Sequence, residues 1–135
     1  MNIRTLITSC CIAGLSIGPL AAQTENKIPE ECKTGGFFIG CQAYTFNRFT
    51  VFEAIEKTAE AGGKVIEFYP GQSLSKEEPT IKWDHNASPE VVQKVKDQLA
   101  KYKIHAVSYG VVGISSDEGE ARKVFEFAKT MGLRS

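Results

Sequence analysis

The feature that most constrains this chain is an alternation. Three times after residue 36, a short apolar run gives way to a stripe of helical period. Residues 37–44 are nearly continuously apolar and follow Gly35-Gly36, as a strand covered on both faces would read. Thr50-Val51-Phe52-Glu53 then forms a capping box, and Val51, Ala54, Ile55, Thr58 and Ala59 repeat at helical spacing up to Gly62-Gly63. Residues 64–69 give a second strand, stopped by Pro70-Gly71, and a longer connection runs over 72–86. Ser88-Pro89-Glu90 opens a second helix with stripe Val92, Val95, Leu99 and Tyr102. Residues 104–112 give a third strand. A third helix starts at Ser115 or Ser116, with stripe Ala121, Val124, Phe125, Ala128 and Met131, and Gly132 closes it. Leu133-Arg134 reads as the first step of a fourth strand.

This β-α order, repeated, calls for parallel strands joined by crossover helices, in the order 1-2-3 with the helices on one side. A dinucleotide-binding fold would place G-x-G-x-x-G after the first strand, but Thr45-Phe46-Asn47-Arg48-Phe49 holds no glycine there. A (β/α)8 barrel needs no such loop, but it takes about 250 residues. The expected fold class is therefore α/β, a partial (β/α)8 TIM barrel of about three βα units.

The N-terminus reads differently. Arg4, an apolar stretch over 6–20 and small residues up to Ala22 predict a secretory signal peptide over 1–22, and so export to the periplasm or beyond. The stretch is shorter than the about 20 apolar residues of a spanning helix, so no membrane span is expected. Ile7-Thr8-Ser9-Cys10 resembles a lipobox, but too little apolar chain separates it from Arg4. Residues 23–36 read as a polar leader and 37–135 as the barrel part. With Cys10 and Cys11 removed, Cys32 and Cys41 could pair in an oxidising compartment, although an apolar strand around Cys41 suits a free thiol. Sixteen basic and sixteen acidic side chains cancel, which argues against a nucleic-acid partner.

Three segments carry a resemblance. Gly40-Cys41-Gln42-Ala43-Tyr44-Thr45-Phe46, Val65-Ile66-Glu67-Phe68-Tyr69-Pro70-Gly71-Gln72 and Val107-Ser108-Tyr109-Gly110-Val111-Val112-Gly113 resemble the first three strands of the xylose-isomerase-like TIM barrels. That superfamily is also called the sugar phosphate isomerase/epimerase family. The resemblance implies the N-terminal part of an exported protein whose complete form shifts a proton between adjacent carbons of a sugar or sugar derivative. It also implies a divalent metal held by two glutamates, an aspartate and a histidine on later strands. No residue of this chain inherits a ligand role, so this part alone is expected to bind no metal. Its catalytic residues remain unassigned, and it is expected to be inactive by itself and open to self-association. Two other readings remain: a non-catalytic carbohydrate-binding or scaffold protein on the same barrel, and an endonuclease-type member of the superfamily. Export and zero net charge oppose the second.

In a barrel, active-site groups stand at the C-terminal strand ends. Tyr44, Phe46, Glu67, Tyr69 and Tyr109 are therefore the candidate pocket residues. Gln42, Tyr44 and Phe46 share one parity, as do Glu67 and Tyr69. An acid within Val-Ile-x-Phe-Tyr needs a reason to be there: either Glu67 meets a sugar hydroxyl or catalytic group, or it pairs with a lysine or arginine inside the barrel. Tyr44 and Tyr109 suit stacking on a sugar, or packing with the hydroxyl satisfied nearby. His85, in an exposed loop beside Asp84, and His105, at the start of its strand, are set aside as ligands. Asn86-Ala87-Ser88 matches a glycosylation sequon, but helix capping already explains Ser88.

Overall fold

The computed structural model describes residues 28–134, so the predicted signal peptide lies outside the described residues. A three-stranded parallel sheet stands at the centre. The chain enters it through a short antiparallel pair, β1 (Lys33–Thr34) and β2 (Phe37–Phe38), and continues as β3 (Gly40–Gln42), α1 (Val51–Glu60) and β4 (Val65–Phe68). A second small antiparallel pair, β5 (Gln72–Ser73) and β6 (Lys82–Trp83), fills the long connection. Then come α2 (Pro89–Tyr102), β7 (His105–Tyr109) and α3 (Glu118–Met131). The sheet order is β3-β4-β7, parallel throughout, as the alternation predicts. Among the described residues no helix is long and apolar enough to cross a membrane.

Each helix begins where a side chain satisfies its first amide groups. Thr50 Oγ1 accepts from Glu53 N at 3.3 Å, and Glu53 Oε2 accepts from Thr50 N at 3.0 Å, the predicted capping box of α1. Ser88 Oγ accepts from Val91 N at 3.3 Å ahead of Pro89, as expected for α2. For α3 the cap is Asp117, whose carboxylate accepts from Glu120 N at 2.9 Å, rather than Ser115 or Ser116. Its buried stripe also departs from expectation: Val124, Phe127 and Met131 face inward while Phe125 is 63% exposed. The cause is tertiary. Phe127 packs on the rings of Trp83 (5.1 Å between centroids) and Tyr109 (4.9 Å), which fixes the rotation of the helix.

Glu53 also meets Lys76 Nζ at 2.8 Å. That ammonium first, then the Thr50 amide, holds the Glu53 carboxyl at about 2 against an ordinary 4.5. Because the folded value is the lower one, the stabilisation is whole above about pH 4.5 and disappears as the pH falls towards 2. Lys76 is 73% exposed, so solvent screens the pair and its contribution is small. Urea melts of the wild type and Glu53→Gln are expected to converge as the pH drops through this window. A gap between them that does not change with pH would refute the assignment.

The two faces of the sheet are covered differently. Ile66, Phe68, Ala106 and Tyr109 join Val51, Ile55, Val92, Val95, Leu99, Trp83 and Phe127 in one apolar cluster on the helix side. On the opposite face Val65 and Val107 meet Ile28, Cys32 and Phe38. The segment read as a polar leader is therefore folded from Ile28 onward. A 3-10 turn (Glu30–Cys32) and the hairpin at Gly35 and Gly36, both at positive φ, lay it across the N-terminal end of the sheet. The first strand is shorter than the apolar run suggests, because after Gln42 the chain winds into a 3-10 turn (Ala43–Phe46). Nor is it covered on both faces, as Gly40 and Gln42 are exposed. At Gly40 β3 and β4 approach closely: a Cβ there would fall on the Val65 carbonyl, 2.6 Å from its carbon. Cys32 and Cys41 are both free thiols.

Candidate binding site at the C-terminal strand ends

On the sheet face away from the helices, register sets Gln42, Glu67 and Ser108 side by side near the C-terminal strand ends. Glu67 stands on that face, as expected, on the side opposite Ile66 and Phe68. Gln42 Nε2 donates to Glu67 Oε1 at 3.0 Å and reaches the Gly110 carbonyl at 3.5 Å, so one amide links β3 to β4 and to the residue that follows β7. No lysine or arginine among the described residues pairs with Glu67. Glu67 Oε2 has no hydrogen-bond partner among the described residues. A carboxylate only accepts, so that oxygen suits a donor such as a hydroxyl.

Tyr44 and Tyr69 stand beside this pair, edge to face with centroids 5.1 Å apart. Together with Gln42, Pro70, Gly110 and Val111 they line a cleft of about 300 Å³. Tyr44 is 57% exposed and Tyr69 half-buried, and burial first, then Tyr44, pushes the Tyr69 phenol above its ordinary value. Tyr69 therefore stays a neutral hydroxyl with an apolar ring.

Two of the five predicted residues lie elsewhere. Phe46 sits in the 3-10 turn, where strand alternation no longer holds, and packs against the helix-side core. Tyr109 also turns towards the helices. The register slips between Ile66 and Glu67, so that Ile66 faces Ala106 but Glu67 faces Ser108, which leaves Val107 as an extra residue. That bulge reverses the faces for the rest of β7. Tyr109 is consequently 7% exposed, and its hydroxyl lies 3.2 Å from His85 Nδ1. Burial lifts its phenol to about 12. His85, expected in an exposed loop, is half-buried by the same contact. His105 stands at the other end of β7, away from the cleft.

Gln42 is the residue that the alternation pointed to without marking as functional; an amide at a strand end facing a glutamate one strand away was the available signal. No group of three or more His, Cys, Asp or Glu side chains converges among the described residues. Glu67 with Gln42 does not make a ligand set, so the divalent metal that the resemblance implies does not fit these residues alone.

No family model matches the chain, and no curated protein does. Among solved structures it is similar to an uncharacterized protein from Parabacteroides distasonis ATCC 8503, at a TM-score of 0.64 and 22% identity. The match covers 72% of this chain and 41% of that one, so the chain spans about two-fifths of the length of that protein. At this identity the likeness concerns the α/β fold.

Proposed function

We propose that these three βα units form the N-terminal part of a (β/α)8 barrel of the xylose-isomerase-like kind, exported from the cell. The Gln42, Glu67, Tyr44 and Tyr69 group would be one wall of its sugar pocket. The complete protein would then be a sugar isomerase or epimerase, shifting a proton between adjacent carbons of its substrate. One observation carries the reading: a carboxylate on the helix-free face of a parallel sheet, at its C-terminal end, with one oxygen tied by Gln42 and the other open. Ligand sites of barrels gather at that end. Glu67 would accept a sugar hydroxyl, Gln42 would keep the carboxylate aimed, and the two tyrosine rings would cover an apolar face of the sugar.

The test is Glu67→Gln in the full-length protein. Hydrogen bonds to a charged group contribute about 1.5–3 kcal/mol, so sugar binding and kcat/KM are expected to fall roughly 10- to 150-fold. The melting temperature should hardly move, because Glu67→Gln breaks no ion pair among the described residues. Unaltered binding of aldoses and ketoses, or a loss of several kcal/mol in stability, would overturn the role.

A further inference from the structure

Tyr69 belongs to two cavities at once. One is the cleft of about 300 Å³ that Gln42 and Tyr44 also line. The other, of about 670 Å³, shares that ring and extends between the start of α1 and the β5–β6 pair. Together they reach the upper part of the roughly 300–1,000 Å³ that ligand pockets occupy. A single sugar ring in the cleft leaves the second cavity unfilled.

The second cavity mixes donors with acceptors. Asn47 and Arg48 line it from the loop before α1, both exposed and neither with a side-chain partner among the described residues. From the β5–β6 pair, Lys82 Nζ donates to Ser73 Oγ at 2.7 Å. Glu53 adds a carboxylate, tied to Lys76 at 2.8 Å. Amide, guanidinium, hydroxyl and carboxylate together answer a ring of hydroxyls, each of which both donates and accepts. An anion would meet the Glu53 charge in the same wall. The loop is also held in shape. Gln72, 3% exposed, donates from Nε2 to the carbonyls of Phe46 (3.2 Å) and Phe49 (3.0 Å). Those carbonyls bracket Asn47 and Arg48, so a buried amide in β5 fixes the turn that carries them.

We infer that the substrate is a neutral reducing disaccharide, with one ring in the cleft against Glu67 and the second in the larger cavity. This rests on the sugar-pocket reading above and narrows its substrate class. A proton shift between adjacent carbons needs a free carbonyl next to the reacting carbon. The unit in the cleft therefore keeps its anomeric carbon unsubstituted, and the second ring is joined through another of its oxygens. Tyr69, common to both cavities, stands at the linkage. Asn47 and Arg48 then bind hydroxyls of the second ring, which a monosaccharide does not offer them.

Calorimetry on the full-length protein tests this, with D-glucose against cellobiose, maltose and lactose, D-mannose against mannobiose, and D-glucose 6-phosphate as the anionic control. At least one disaccharide is expected to bind about 10-fold more tightly than the monosaccharide at its reducing end, as two further hydrogen bonds would give. The advantage should vanish in Asn47→Ala/Arg48→Ala, whose side chains are exposed, while monosaccharide binding is unchanged. Glu67→Gln should weaken both sizes alike. Three results overturn the second-ring site and leave the sugar pocket standing: disaccharides that bind no better than their monosaccharides, an advantage that survives the double substitution, or D-glucose 6-phosphate binding more tightly than every disaccharide. If no sugar binds, or binding ignores Glu67→Gln, the sugar pocket falls and the second-ring site with it.

Discussion

Trp83→Ala is expected to cost about 3–5 kcal/mol, a large share of the roughly 5–15 kcal/mol that holds a domain of ordinary stability. Trp83 is fully buried, with its ring edge-on to Phe68 (5.5 Å) and Phe127 (5.1 Å). It reaches that place because β6 pairs it with Gln72 and its carbonyl accepts from Gly71 N at 2.9 Å. Alanine would leave a cavity at the meeting point of the sheet, α3 and the long connection, where Tyr109 also rests on Phe127. Trp83→Phe should cost much less. Its indole Nε1 has no hydrogen-bond partner among the described residues, so phenylalanine keeps ring contacts and removes an orphan donor. Trp83 is the only tryptophan, so urea transitions have to be followed by circular dichroism. An alanine variant with an unshifted midpoint would show that α3 does not depend on this ring.

What could be read in advance follows the range of the forces involved. The α1 capping box and its stripe are local, set by Thr50, Glu53 and residues within ten positions, and the structure reproduces them. Parallel pairing in the order 1-2-3 follows from chain connectivity and handedness. Glu67 was legible because a charge inside an apolar strand conflicts with its neighbours. Two of the failures involve contacts distant in sequence. The rotation of α3 depends on Trp83, about forty residues earlier, so the stripe was set on Phe125 rather than Phe127. The bulge at Val107 exists only through its pairing with β4, and nothing in His105-Ala106-Val107-Ser108-Tyr109 announces it. One extra residue moved Tyr109 from the cleft to the core. The hairpin before β3 was hidden because β1 and β2 are two residues each and their glycine turn resembles a linker.

The second large effect concerns association. Among the described residues β3 and β7 each have one partner in the sheet, β4, which leaves an open edge on either side. On β7 a single contact, Arg134 N to the Val107 carbonyl at 3.0 Å, begins to occupy that edge. The apolar face is less open than the sequence suggested, since Val65 is only 7% exposed beneath the N-terminal hairpin. The uncovered apolar groups lie around it: Phe37 at 72% and Ile39 at 49%, next to the β3 edge, and Val111 at 92% beyond β7. Unpaired strand edges with exposed apolar neighbours are templates for further pairing. The 135-residue chain expressed alone is therefore expected to scatter light as particles of two or more chains, growing with concentration. Phe37→Lys with Ile39→Lys places charge where natural edge strands carry it. Both side chains are exposed, so the pair should lower the particle mass without lowering the unfolding midpoint. A monomer at every concentration would refute the open-edge argument. A lysine pair that leaves the mass unchanged would move the contact to the β7 side, where Val111→Lys is the matching substitution.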